Sequence, residues 1–140
     1  MKAQAEQRAR IARVRRVQHL QAAGIAAAAE EKVVQLESNA TRLASLRGSL
    51  TASPGITSGA ALGSAGELAS RLDSVQSGLA DAIGAARVQA MARAAERLDA
   101  HIRREGAEKL ETRAVADLQN MIEQRLAASI RHRSRETRNG

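Results

Sequence analysis

Small and apolar residues return along the first part of the chain at Ala22, Ile25, Ala29, Val33, Leu36, Ala40, Leu43, Leu46 and Leu50. The steps average about 3.5 residues, the coiled-coil period, where a straight helix repeats at about 3.6. Ile11, Val14 and Val17 extend the stripe toward the start. A second stripe opens with Leu68, Leu72, Val75, Leu79 and Ala82 or Ile83, runs through Ala86, Ala90 or Met91, Ala94, Leu98 and Ile102, and resumes at Leu110, Ala114, Leu118, Met121 or Ile122, Leu126 and Ile130. Acid–base pairs four residues apart (Glu6 with Arg10, Asp99 with Arg103, Glu105 with Lys109) lie off the stripes. Each such pair contributes roughly a few tenths of a kcal/mol.

The stripes are separated by Thr51 to Gly66, which holds Pro54, four Gly and five Ser or Thr and no charge. Pro54 cannot continue a helix and turns Ser53 away from helical dihedrals. Ser64 and Glu67 have the spacing of a capping box. The pattern therefore predicts a single all-α domain: a helix over residues ~3–50, a Gly/Ser/Pro connection over 51–64, a helix over ~65–133, and a frayed basic tail over 134–140. Folding back at the connection makes a long antiparallel two-helix coiled-coil hairpin. The first helix would be about 70 Å long and the second about 100 Å. The longer arm then has a C-terminal overhang, approximately Leu110 to Arg133, whose apolar stripe with Leu118 and Ile122 lacks a partner in its own chain and implies one outside it. Gly24, Gly48, Gly78, Gly84 and Gly106 fall inside the helices, each costing about 1 kcal/mol relative to Ala. They either admit close approach of the partner helix or leave the coil soft.

Composition supports thin helix-on-helix packing. The chain has no Phe, Trp, Tyr or Cys and one Pro among 140 residues. The aromatics that usually dominate buried area are missing, and the abundant Ala, Arg, Glu, Gln and Leu are strong helix formers. Without Cys there is no disulfide framework, thiolate nucleophile or Cys-ligated zinc. No run of about 18 apolar residues is present to span a membrane. The Arg-rich start is not followed by an apolar h-region, so it reads as part of the helix and not as a targeting segment.

Net charge is +7, and its placement says more than its size. Residues 1–20 carry +5 through Lys2, Arg8, Arg10, Arg13, Arg15 and Arg16 against Glu6, and residues 121–140 carry +3, while the stretch between is near neutral at −1. Three partners fit basic ends. Nucleic-acid phosphates are one, although the base-reading Asn and stacking aromatics that specific binding uses are absent. A membrane surface is another, although residues 8–17 lack bulky insertion residues. An acidic rim or socket on a protein is the third.

No catalytic constellation is present, and the sequence predicts no enzyme and no cofactor. His19, His101 and His132 stand far apart without a carboxylate or Cys cluster at metal-ligand spacing, although His19 and His101 can approach each other across a hairpin. The glycines at 55, 59, 63 and 66 lack the Gly-Lys-Ser/Thr ending of a P-loop.

Three features resemble the flagellar FliJ family, the coiled-coil stalk of the type III export ATPase, and its injectisome relatives. They are the length with two long helices and a mid-chain break, the connection Gly55-Ile56-Thr57-Ser58, and the ending from Asp117 to Arg133 in which acidic and basic residues alternate around small ones. The resemblance implies a cytoplasmic, non-catalytic stalk or chaperone, peripheral at the inner-membrane export apparatus through protein partners alone. It would contact the export ATPase ring, the cytosolic region of the export gate, and export chaperones. The ATPase-facing part would be Arg8, Arg10, Arg13, Arg15 and Arg16 with Arg125, Arg131 and Arg133. The gate-facing part would be Leu68, Leu72, Val75 and Leu79, which read equally as ordinary seam. Two other readings stay open: a basic coiled coil that binds nucleic acid or another polyanion, and a surface-coating helical protein of the phasin kind.

Overall fold

The computed structural model describes residues 1–51 and 59–139, and every element among them is helical. Helix α1 spans Lys2–Thr51 and helix α2 spans Gly59–Asn139. Pro54 and the Gly55-Ile56-Thr57-Ser58 connection lie outside the described residues.

Helix α2 starts at Gly59, ahead of the expected residue 65. Ala60, Ala61, Leu62 and Ala65 favour helix strongly enough to carry Gly59, Gly63 and Gly66 with them. Ser64 and Glu67 thus sit inside the helix and form no capping box; the Glu67 carboxylate accepts from Arg71 at 2.9 Å instead. At its far end α2 runs past residue 133 to Asn139. Arg138 in the last turn complements the negative end of the helix dipole.

The helices pair in two compact units. One, the hairpin unit, is Ala23–Glu96; the other, the terminal unit, joins Met1–Ala22 to Arg97–Gly140. In the hairpin unit Arg87 Nη2 donates to Glu37 at 2.6 Å and Arg47 Nε donates to Asp73 at 3.0 Å. The partner number falls as α1 advances, so the pairing is antiparallel. In the terminal unit Arg16 reaches Glu108 at 2.9 Å and Glu111 at 3.2 Å, and His19 stands beside His101, again antiparallel.

Covered residues recur along each helix in alternating steps of three and four, the coiled-coil signature. In the hairpin unit α1 covers Ala26, Ala29, Val33, Leu36, Ala40, Leu43, Arg47 and Leu50. Opposite them α2 covers Ala65, Ala69, Leu72, Gln76, Leu79, Ile83, Ala86, Ala90 and Arg93. The seam is therefore one residue away from the expected one at several places. Ile25 and Leu46 are each 51% exposed, while Ala26 is fully covered and Arg47 half covered. Leu68, Val75, Leu98, Ile102 and Leu110 likewise face out, and among the described residues Leu72 is the one large apolar side chain that is buried. The reason is geometric. Interaxial distance depends on the side chains at the contact, and alanine at covered positions such as Ala26, Ala86 and Ala90 permits close pairing of the two helices.

Close approach does not involve the glycines. A Cβ built at Gly24, Gly78, Gly84 or Gly106 meets no atom within 4 Å. Those positions gain nothing from glycine in the folded chain and pay its backbone entropy. We expect Gly24→Ala, Gly84→Ala and Gly106→Ala each to stabilise the chain by roughly 0.5–1 kcal/mol, read as a raised urea midpoint by circular dichroism at 222 nm.

Candidate partner-binding surface

The basic residues fall into two groups according to what the helical register does with them. Counting back from Ala26 in steps of four and three puts Ala22, His19, Arg15, Ala12, Arg8 and Ala5 on the seam of the terminal unit. Across from them stand Ala100, Arg104, Ala107, Glu111, Ala114, Leu118 and Met121. Ala12 is fully covered and Ala5 and Ala107 nearly so, which leaves room beside them for the stems of Arg8, Arg15 and Arg104. Val14 and Val17, expected on the stripe, are both 54% exposed.

Arg16 lies beside the seam and is consumed internally. Its bond to Glu108, reinforced by the charge of Glu111, raises its pKa and holds its guanidinium across the two helices. Arg15 donates to Gln18 at 3.0 Å along its own helix. Arg10 and Arg13 are exposed and have no acidic partner among the described residues. Of the five α1 arginines expected at a partner, Arg10 and Arg13 are therefore the fully available ones.

The overhang is shorter and more distal than the sequence suggested. Arg16 opposite Glu108 and Glu111 leaves the rest of α1 to cover α2 as far as Met121, the last residue there that is half covered. From Ile122 to Asn139 every residue is exposed. Leu118 belongs to the seam, whereas Ile122, Leu126 and Ile130 are free, the last two 58% and 66% exposed. Arg125, Arg131, Arg133, Arg135 and Arg138 lie in this stretch, and none pairs with an acid among the described residues. Its one ion pair is His132 with Glu136, at 3.5 Å. A bare helix with five unpaired arginines can hold acidic side chains or phosphates in the bidentate geometry that guanidinium favours.

The early-α2 set divides. Leu72 is 7% exposed and Leu79 half covered, both committed to the hairpin unit's seam. Leu68 and Val75, 46% and 53% exposed, present a small apolar ledge in the same unit. Outer-face pairing is partial: Asp99 accepts from Arg103 at 3.2 Å as expected, but Glu105 turns to His101 instead of Lys109.

One cluster was only half visible in the sequence. The His19 and His101 rings stand 5.5 Å apart, tilted by 51°. Arg104 Nη2 lies 3.1 Å from His101 Nδ1. Burial, then the nearby charges of Arg104, His101 and Arg97, push the His19 pKa below its usual value. The signal was available: strict three–four counting lands on His19.

No group of three His, Cys, Asp or Glu residues among those described is placed to hold a metal ion, and no described helix is long and apolar enough to cross a membrane. Because residues 122–139 cover nothing, removing residues 122–140 is expected to move the unfolding free energy of the rest by less than about 0.5 kcal/mol. A loss above about 1 kcal/mol in urea titration would mean that the stretch packs on the chain. No protein-family model, curated protein or solved structure matches this chain.

Proposed function

We propose that the chain is a non-catalytic coiled-coil stalk of a flagellar type III export apparatus, working in the cytoplasm against the export ATPase ring and the cytosolic part of the export gate, and escorting export chaperones. The reading rests on the resemblance in plan and motif. The observation that supports it best is the α2 stretch from Ile122 to Asn139, wholly exposed and carrying five arginines without an acidic partner among the described residues, with Arg10 and Arg13 exposed in the same unit. A helix that leaves its own partner behind while remaining charged is suited to enter an acidic socket. Leu68 and Val75 offer the apolar ledge for the second contact, the role that buried Leu72 cannot take.

The test is binding to the cognate export ATPase by pull-down, with the ATP hydrolysis rate measured with and without the chain. The wild type is expected to bind and to change the rate. The triple variant Arg125→Glu, Arg131→Glu, Arg133→Glu is expected to lose both, while Leu68→Ala with Val75→Ala keeps both and loses the gate contact. No binding and no rate change by the wild type would overturn the proposal.

Arginines spread around a bare helix favour a second reading, a polyanion binder of which nucleic acid is the test case. That reading requires affinity to fall steeply with salt, and a gel shift that shows nothing at about 50 mM salt removes it.

A further inference from the structure

We infer that the terminal unit pairs around an uncharged His19 packed on His101, and that acidification through the range in which imidazole protonates loosens this unit while the hairpin unit stays paired.

The geometry assigns the protons. Arg104 can only donate, so His101 Nδ1, 3.1 Å from Arg104 Nη2, must accept. The ring proton then sits on Nε2, which donates to Glu105 Oε1 at 3.2 Å. Both nitrogens of His101 are thus used by the neutral ring, and a proton on Nδ1 would point at a guanidinium. His19 packs against this ring from α1, with its Nδ1 covered and without a hydrogen-bond partner among the described residues. Arg104 Nε is likewise covered and without a hydrogen-bond partner among the described residues. The charged groups that act on His19 are Arg97, Arg104 and Glu108; Glu105 bonds His101, and Arg16 holds Glu108 together with Glu111. Both acids are already engaged, Glu105 by His101 and Glu108 by Arg16. A proton on His19 therefore adds a cation beside Arg97 and Arg104, with both neighbouring acids already bonded elsewhere.

The sign follows from linkage. Burial and then Arg104 lower the His19 pKa in the paired state, so the unpaired state takes up the proton first. The contribution to pairing is fully present above the ordinary value of 6.5 and is lost as pH falls from there toward the lowered value. Protonated His101 gains attraction from Glu105, but that pair is exposed and weak. The hairpin unit contains no histidine, since the three in the chain are His19, His101 and His132, so nothing in it titrates as an unperturbed imidazole does.

The chain has no cysteine, so spin labels can be placed cleanly. One doubly labelled protein carries cysteines at Val17 and Ile102 in the terminal unit; another carries them at Gln35 and Val88 in the hairpin unit. Pulsed dipolar spectroscopy at about pH 8 and about pH 5 brackets the imidazole range. Expected is a narrow distribution for both at high pH. At low pH the terminal pair shifts longer and broadens, and the hairpin pair stays put. His19→Gln with His101→Gln should abolish the response, and His19→Lys should open the terminal unit already at high pH. Proton NMR of the imidazoles in the unlabelled full chain should place the His19 titration within the same transition. A terminal-unit distribution unchanged with pH, a response that survives in the double Gln variant, or a His19 titration displaced from the transition would overturn the inference.

Discussion

The structure depends on how closely two helix backbones can come together over alanine. With no aromatic side chain in the sequence and a single large apolar residue buried among those described, transfer of apolar area from water cannot dominate here as it does in layered domains. What remains is close contact repeated every three or four residues, each touch small and the sum extended. This arrangement accounts for the large side chains left outside, including Met91 at 73% exposure, and for a seam that tolerates arginine stems lying alongside alanine.

The two units use this scheme with different residues. The hairpin unit lines its seam with Val33, Leu36, Leu43, Leu72, Leu79 and Ile83, which hold by apolar contact. The terminal unit sets Arg8, Arg15, His19, Arg104 and Glu111 along its seam together with Leu118 and Met121, so charged and titratable side chains share its pairing. Polar residues at seam positions specify register at a cost in stability, and a layer of cations adds sensitivity to salt and acid. The seam with the more polar residues lies in the unit that also carries the bare arginine stretch.

Much of this was legible in the residues. The helical composition, the 3.5-residue period and the break near Pro54 predicted two paired helices, and the antiparallel ion pairs Glu37–Arg87 and Arg16–Glu108 accord with that plan. The choice between adjacent candidates was not legible. Ile25 against Ala26, and Leu46 against Arg47, differ by one residue, and hydrophobicity favours the wrong member of each pair: strict alternation of three and four selects Ala26 and Arg47, the latter bonded across the seam to Asp73. The start of α2 was missed for a related reason: the glycines before Ala65 were weighed as breakers, while the alanines among them sustain the helix. The overhang was legible in kind but not in position, since its limit depends on the register of Arg16 against α2. For the candidate surface, exposure divided a set that the sequence presented as equivalent: Leu68 and Val75 are available, and Leu72 is not.

An alanine seam also shapes the response to temperature. Exposure of apolar surface on unfolding produces the heat-capacity change that curves the stability of ordinary domains, about 12–15 cal/mol/K per residue. A chain that keeps Val34, Val88, Met91 and Leu98 in water while folded has less of that surface left to expose. Its stability curve is correspondingly flat, with little loss on cooling and a broad, shallow melt on warming. A binding partner therefore meets nearly the same balance between paired and unpaired helices over a wide range of temperature.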